Sequence, residues 1–303
     1  MDLSPYVLPE GNVQICFSGG RTSGYLLRKI LDANGGLPDR AKVIFTNTGK
    51  ENDETLDFVQ MVGGRFGVPI IWLEYDLVPC DKDPLGSRIS YRVVNHNSAA
   101  RDGEPFARML SRKSNYLPNP AQRFCTIELK IRTAKRYLVD AGWDRWTNAL
   151  GIRADEPSRI PKRDAAPVIE NLDMFGDQKK KDTRKRRDRW ESWYPLGDAN
   201  IAKSDITAFW GAQDFDLGLP NINGKTPDGN CDLCFMKSEA AIAGMIRDNP
   251  AKADWWIEME QKYGATFHKA RSYQALADMV KNQGDVIFST EGFLCQADDG
   301  ECM

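Results

Sequence analysis

The chain reads as an α/β protein built on a parallel sheet covered by helices, and three observations predict this. Short β-rich runs, Val13 to Phe17, Val43 to Asn47, Ile70 to Tyr75 and Trp146 to Gly151, alternate with helical patterns. A turn of small residues, Cys16-Phe17-Ser18-Gly19-Gly20-Arg21-Thr22-Ser23, separates the first run from the helical pattern Tyr25 to Leu31. A length of 303 residues with 41% hydrophobic content is enough to bury a full core.

Taken in order, the first run and its turn carry the sharpest signal. A strand, a glycine-bearing turn and a helix N-terminus together hold phosphate, because free backbone N–H groups and the positive end of the helix dipole converge there. An ordinary tight turn is the bland alternative. It ranks second because Ser18, Thr22 and Ser23 add hydroxyls and Arg21 adds a planar cation suited to phosphate oxygens. The spacing is neither that of the Walker loop nor Gly-x-Gly-x-x-Gly. Val43 to Asn47 reads as a buried strand ending in the polar turn Thr48-Gly49-Lys50-Glu51, followed by a helical stretch from Glu54 to Val59. Pro69 suits a strand start before Ile70, where a missing N–H does no harm. Asp76 to Pro120 reads as loops and short helices. Trp146 to Gly151 is a fourth strand that ends beside Arg153.

Asn171 to Asp188 is polar and strongly charged and reads as an insertion or linker. Within and beside it, Lys179 to Arg189 has eight basic residues in eleven. Trp190 to Trp210 and Glu239 to Lys262 read as helical, with aromatics whose default use is core packing. The expected organisation is a nucleotide-binding α/β unit over 1–170, a basic insertion over 171–189 and a mainly helical, cysteine-bearing region over 190–303.

No apolar run is long enough to cross a bilayer, and the amino end lacks a basic segment followed by an apolar core, so the expected location is cytoplasmic, away from membranes. A net charge of −2 gives no global attraction to nucleic acid and leaves only local patches. Seven cysteines, an odd count without a leader, point to metal or redox chemistry before a disulfide framework. Cys231-x-x-Cys234 alone fits a zinc half-site, a redox pair or coincidence. Gly229 and Asn230 permit a tight turn before it, and Cys125 supplies a third thiol from a distant basic stretch. Cys16 and Cys80 receive no role. His96 and His268 read as structural or surface residues, so no histidine-based catalysis is built on them.

The Ser-Gly-Gly-x-x-Ser pattern at Ser18 to Ser23 resembles the pyrophosphate loop of the adenine nucleotide alpha-hydrolase-like superfamily, which includes ATP pyrophosphatases, nucleic-acid sulfurtransferases and sulfonucleotide reductases. Later segments resemble, in the same order, those of the phosphoadenosine phosphosulfate (PAPS) reductase family: Val43 to Glu51, Arg123-Phe124-Cys125-Thr126, Gly151-Ile152-Arg153-Ala154-Asp155-Glu156 and Gly229 to Phe235. Together they run from about residue 12 to about residue 240.

The resemblance implies a Rossmann-like sheet flanked by helices. It implies nucleotide binding by Ser18, Gly19, Gly20, Arg21, Thr22, Ser23, Phe45, Asn47, Thr48, Gly49, Lys50, Gly151 and Arg153, with adenine near Phe45 to Thr48. Arg21, Lys50 and Arg153 would serve catalysis, and Arg123 and Lys130 are further anion-binding candidates. Asp155 and Glu156 would orient Arg153 or hold Mg²⁺. Reductases with a [4Fe-4S] cluster use a Cys-Cys pair before the Cys-x-x-Cys. Here that pair is Phe124-Cys125, so Cys125, Cys231 and Cys234 are closest to the three-cysteine set of the sulfurtransferases. Zinc is the second occupant considered, and Cys295 is available as a fourth ligand. Gly300-Glu301-Cys302-Met303 shares two residues with the reductase tail and reads as a tail thiol.

Arg21-Thr22 stands where many ATP-using members have Lys-Asp. The function expected is ATP-dependent, adenylylating sulfur transfer to a nucleic acid or nucleotide. The ligands would be ATP, or adenosine phosphosulfate (APS) or PAPS, with Mg²⁺, and the partners a nucleic-acid acceptor and a sulfur- or electron-donor protein. The alternatives are a sulfonucleotide reductase releasing sulfite and a non-catalytic nucleotide or nucleic-acid binder.

Overall fold

The computed structural model describes residues 2–113, 116–160, 189–222, 224–268 and 270–283. Its centre is a six-stranded sheet in the order β4-β3-β2-β1-β5-β6. The strands are β1 (Asn12–Cys16), β2 (Ala41–Asn47), β3 (Ile70–Pro79), β4 (Ser87–Val94), β5 (Trp146–Ala149) and β6 (Trp190–Trp193). Every neighbouring pair is parallel except β3 with β4.

The chain moves outward from β1 through α1 (Arg21–Asn34) to β2, then through α2 (Asp53–Phe66) to β3. It later returns to the other side of β1, where β5 pairs with it in the register Ile15 to Ala149. Strand order therefore reverses at β1, and in open α/β sheets ligands bind beyond the carboxyl ends of the strands at such a point.

The remaining helices are α3 (Glu104–Leu110), α4 (Thr133–Asp140), α5 (Pro195–Asp198), α6 (Lys203–Gly211), α7 (Glu239–Asp248), α8 (Lys252–Tyr263) and α9 (Tyr273–Gln283). A wide-turned π-helical segment, Thr126–Arg132, leads into α4. Two large cores divide the work. Val13, Ile15, Leu26, Phe58 and Val59 of the sheet, α1 and α2 pack with Ile206 and Trp210 of α6. Phe106, Leu129, Ile242, Trp256 and Phe267 form the second, in which Cys231 and Cys234 are embedded. A smaller cluster around Ile44, Leu73, Leu138 and Trp146 packs α4 onto the sheet.

Three sequence expectations change here. The stretch from Asp76 to Pro120 contains the end of β3 and all of β4, an edge strand in which Arg88, Ser90 and Arg92 alternate with Ile89, Tyr91 and Val93 in the period of two of a pleated strand. Trp190 to Trp193 is the edge strand β6, and helix begins only at Pro195, which suits a first helical position. Glu239 to Lys262 is broken between α7 and α8 at Asn249-Pro250, because proline lacks the N–H a continuous helix needs. The expected insertion at 171–189 lies, apart from Arg189, outside the described residues. Leu196, Ile201, Ile206 and Trp210 nevertheless belong to the core that packs β1 and α1, so chain beyond residue 189 completes it. Among the described residues no helix is long and apolar enough to cross a membrane.

Candidate functional site

The phosphate-type turn lies where the strand order reverses. Gly19 has φ +81, and a Cβ there would stand 2.8 Å from Thr55 Cγ2, so both backbone shape and space call for glycine. Gly20 precedes α1 without any side-chain cap, leaving the first helical N–H groups to other partners. Ser23 Oγ donates to Gly20 O at 2.9 Å and accepts from Ser18 N at 3.2 Å, which curls the turn around one hydroxyl. Ser18 Oγ lies 3.0 Å from the same atom.

A small pocket is lined by Ser18, Gly19 and Gly20 together with Leu217, Thr226 and Asn230. Thr55, on the first turn of α2, forms part of its wall, and its Oγ1 is buried with no hydrogen-bond partner among the described residues. Sequence reasoning missed this residue, because nothing in the segment Asp53-Glu54-Thr55 distinguishes a cavity wall from an ordinary helix start.

Arg21 does not stand as a free cation beside that cavity. Its Nε and Nη2 donate to the two carboxylate oxygens of Asp216, each at 2.7 Å. Nη1 donates to Thr226 Oγ1 and Nη2 also to Leu219 O, both at 2.8 Å. Arg21 also lines that cavity, and its guanidinium ties Asp216, Leu219 and Thr226 to the turn. Trp210 Nε1 adds a bond to Arg21 O at 2.8 Å.

Arg153 does reach the turn. It is buried, with Nη1 3.3 Å from Thr22 Oγ1, and Asp155 accepts from its Nε at 2.8 Å. Glu156 accepts from Arg153 N at 3.1 Å and from Arg159 Nη1 at 2.5 Å, while Asp155 also accepts from Lys203 N. Of the two roles expected for Asp155 and Glu156, orienting Arg153 is the one these contacts display. Gly151 packs against the backbone of Ser23, where a Cβ would meet Ser23 Cα at 3.6 Å.

At the end of β2, Phe45 is fully buried edge-on to Trp72, and Asn47 donates to Glu74 Oε1 at 2.6 Å and Ala100 O at 2.9 Å. Asn47 Oδ1 also accepts from Gly49 N at 3.0 Å. Asn47 thus braces the turn that follows it, and Phe45 lies against Gly19, where a Cβ would stand 3.2 Å from its ring. Gly49, at φ +80, lies so close to α3 that a Cβ would meet Pro105 Cδ at 2.7 Å and Gly103 Cα at 3.1 Å. Lys50 pairs with Asp232 (Nζ to Oδ2, 3.0 Å) and lies 5.1 Å from the centre of the Trp255 ring.

The same turn fastens the Cys-x-x-Cys segment. Asp232 N donates to Lys50 O at 2.6 Å, Glu51 bridges to Cys231, and Asn52 Nδ2 donates to Asp228 O at 2.6 Å. Thr48 Oγ1 lies 3.3 Å from Cys231 Sγ. From the other side Trp256 Nε1 donates to Asp232 Oδ1 at 2.9 Å, and Tyr273 donates its hydroxyl to Leu233 O.

Cys125, at the head of the π-helical segment, joins Cys231 and Cys234 around a second small cavity that is also lined by Thr48, Arg123 and Lys130. Burial pushes the Cys231 thiol well up, with Glu51 and Cys234 adding to the effect and Lys130 and Thr48 opposing it. Three thiols beside two cationic side chains is donor chemistry suited to a thiolate-bound metal or cluster. As placed, however, no three His, Cys, Asp or Glu side chains among the described residues converge closely enough to hold an ion. Burial also raises Cys16, to about 12. Cys295 and Cys302 lie outside the described residues. His96 pairs with Asp57, Nε2 to Oδ1 at 2.6 Å, and His268 packs against Tyr273.

No protein-family model matches the chain. It is 28% identical over 235 residues to an uncharacterized nin region protein, ORF290, of Escherichia phage lambda, covering 77% of this chain and 69% of that one. It is 25% identical over 179 residues to an uncharacterized 37.8 kDa protein from the gpa 5′ region of Escherichia phage 186, with 52% of this chain and about half of that one (51%) covered. Among solved structures, a phosphoadenylyl-sulfate (PAPS) reductase from Candida auris in complex with phosphate overlays 67% of this chain and 72% of its own, at a TM-score of 0.34 and 16% identity. The chain is therefore an α/β protein similar in sequence to two phage proteins, with a glycine-bearing turn at its strand-order reversal and three cysteines around a neighbouring cavity.

Proposed function

We propose that the protein binds an adenine nucleotide with its phosphates on Ser18 to Gly20 and performs sulfur chemistry at Cys125, Cys231 and Cys234, as ATP-dependent, adenylylating sulfur transfer to a nucleic acid or nucleotide. One observation carries this reading. The Ser18 to Gly20 turn follows β1, while Cys231 meets Thr48 at the end of β2, the neighbouring strand, so the proposed phosphate site and a thiol group lie at one sheet edge. The order of motifs resembling the PAPS reductase family supports it.

On this reading an oxygen of the acceptor attacks the α-phosphorus of ATP, pyrophosphate leaves, and a sulfur nucleophile then displaces AMP from the adenylylated carbon. Amides of the turn and the α1 dipole meet the phosphate charge, and the Thr55 hydroxyl gains an acceptor. Arg153 buttresses the turn through Thr22. Arg21 contributes through Asp216 by holding the roof. Magnesium would arrive with the nucleotide, since Asp155 and Glu156 are engaged with Arg153, Arg159 and Lys203. A cluster or metal on Cys125, Cys231 and Cys234 would supply a site that carries sulfur. A second reading is favoured by Arg123 and Lys130 beside the thiols, cations suited to a sulfate: a sulfonucleotide reductase that releases sulfite from APS or PAPS.

The test uses protein purified without oxygen, assayed for iron, sulfide and zinc, then given ATP with nucleic acid or nucleotide acceptors, or APS or PAPS with a dithiol. AMP and pyrophosphate that require an acceptor support sulfur transfer, whereas sulfite selects the second reading. Ser23→Ala, which removes the hydroxyl that bonds Ser18 N and Gly20 O and so shapes the turn, is expected to weaken nucleotide binding about tenfold. Wild-type protein that binds neither nucleotide class overturns both readings.

A further inference from the structure

Beside the thiol cavity the surface is basic. Between Pro105 and Val139 stand eight lysines and arginines against one acidic residue, Glu128, in a chain whose Lys and Arg total 41 and whose Asp and Glu total 43. Glu128 is buried, and its Oε1 is shared by Lys113 Nζ at 3.3 Å and Arg132 Nη1 at 2.6 Å, so one carboxylate serves two cations at the surface. Arg108 and Arg112 are answered instead by Asp76 and Asp83. Arg123, which lines the thiol cavity, is exposed and makes no ion pair among the described residues.

Aromatic rings lie among these charges. Tyr116 stacks on Phe124, with centroids 5.8 Å apart and planes 26° from parallel, and Lys113 Nζ lies 5.3 Å from the centre of the Phe124 ring. Tyr116 donates its hydroxyl to Gln122 Oε1 at 2.6 Å, which steadies the ring, yet the residue is 41% exposed. Ile127, one helical turn on from Phe124, and Ile131, a turn further, are exposed as well, and exposed apolar groups that cluster mark a contact surface. Of the three thiols, Cys231 and Cys234 are buried, and the partly exposed one is Cys125, which directly follows Phe124.

We propose that this face, from Tyr116 to Arg132, binds single-stranded nucleic acid and presents it to Cys125. The cations answer phosphates, and a ring already stacked on a neighbour is a platform for an unpaired base, whereas an acidic protein surface would use the charges alone. In a duplex the bases stack on one another, so the platform selects single strands. The inference rests on the sulfur-transfer reading above and narrows its acceptor to a strand long enough to cover Tyr116 and reach Cys125.

The experiment is fluorescence anisotropy with labelled single-stranded DNA, single-stranded RNA, duplex DNA and an abasic single strand, on wild type, Tyr116→Ala, Tyr116→Phe and Arg123→Gln. Thermal melts of each protein and binding of ATP and APS are measured alongside, and anisotropy is read well below each melting midpoint. Wild type is expected to bind a single strand more tightly than the duplex. Tyr116→Ala is expected to lose about tenfold for that strand and nothing for the abasic one, with Tyr116→Phe close to wild type. Arg123→Gln is expected to weaken both strands alike and to lower the slope of log affinity against log salt by about 0.7, the share of one phosphate contact. Single-strand binding that neither Tyr116→Ala nor Arg123→Gln alters places the strand elsewhere, as on the basic run Lys179 to Arg189, and overturns the surface. Polyglutamate that displaces the strand as well as polyuridylate does points to an acidic protein and also overturns it. Wild-type protein that binds ATP or APS but no strand overturns the surface and leaves the nucleotide reading, whereas strand binding as expected without either nucleotide keeps the surface and overturns that reading.

Discussion

His268 carries a ring nitrogen, Nε2, buried without a hydrogen-bond partner among the described residues, and burial lowers its pKa below the ordinary 6.5 while Glu239 opposes the shift. The folded protein therefore resists protonating a ring that the unfolded chain protonates freely. Its contribution to stability is present above the unfolded value and is lost as pH falls through and below it. Nearby Glu260 works in the opposite sense, since burial raises its pKa and acid removes a desolvated charge. His268→Leu is expected to lose less stability than wild type between about pH 7.5 and pH 5.5 in urea melts, with Glu260 common to both proteins. Equal losses would show that the ring takes up protons as easily folded as unfolded. At this scale the sequence was legible only where chemistry is local. Ser18 to Ser23 form the expected turn within six residues, but the partner of Arg21 lies 195 positions away and Thr55 looks like any residue of a first helical turn.

Among the elements, α1 and α6 meet where α1 carries Gly24. A Cβ on Gly24 would stand 2.7 Å from Trp210 Cζ2, and Trp210 also packs against Phe58 and bonds Arg21 O. Helix propensity alone favours alanine over glycine in a helix interior by about 1 kcal/mol. Overpacking costs about 1–3 kcal/mol, so the contact decides the sign. Gly24→Ala is expected to lower the midpoint of thermal unfolding, and a raised midpoint would show that the indole yields freely. Strands β1, β2, β3 and β5 were foreseeable because apolar runs bounded by turns are the pattern of a buried parallel strand. Edge strand β4 alternates Arg88, Ser90 and Arg92 with Ile89, Tyr91 and Val93, a period-two signal present in the sequence that a loop reading overlooks. The four residues of β6, with Glu191 and Ser192 adjacent, show no such period and are revealed by their pairing with β5.

For the molecule as a whole, the site is assembled from chain far apart: the turn after β1, the ends of β2 and β5, and the segment from Asp216 to Cys234. Asp216→Ala removes the anchor of that last segment and leaves Arg21, only 8% exposed, without its carboxylate. With Asp216 itself 40% exposed, the cost in stability is expected to be about 1–3 kcal/mol, below that of a fully buried pair. Nucleotide affinity should fall with it as the roof loosens, and unchanged stability would reduce the pair to a surface contact. The same tie governs the order in which a ribosome can deliver a working protein. The turn at Ser18 to Ser23 is synthesised almost at the start, yet the carboxylate that pairs with its Arg21 emerges 195 residues later, with the Cys-x-x-Cys segment behind it. Until chain through Asp216 is present, Arg21 lacks the carboxylate that ties the turn to that later segment.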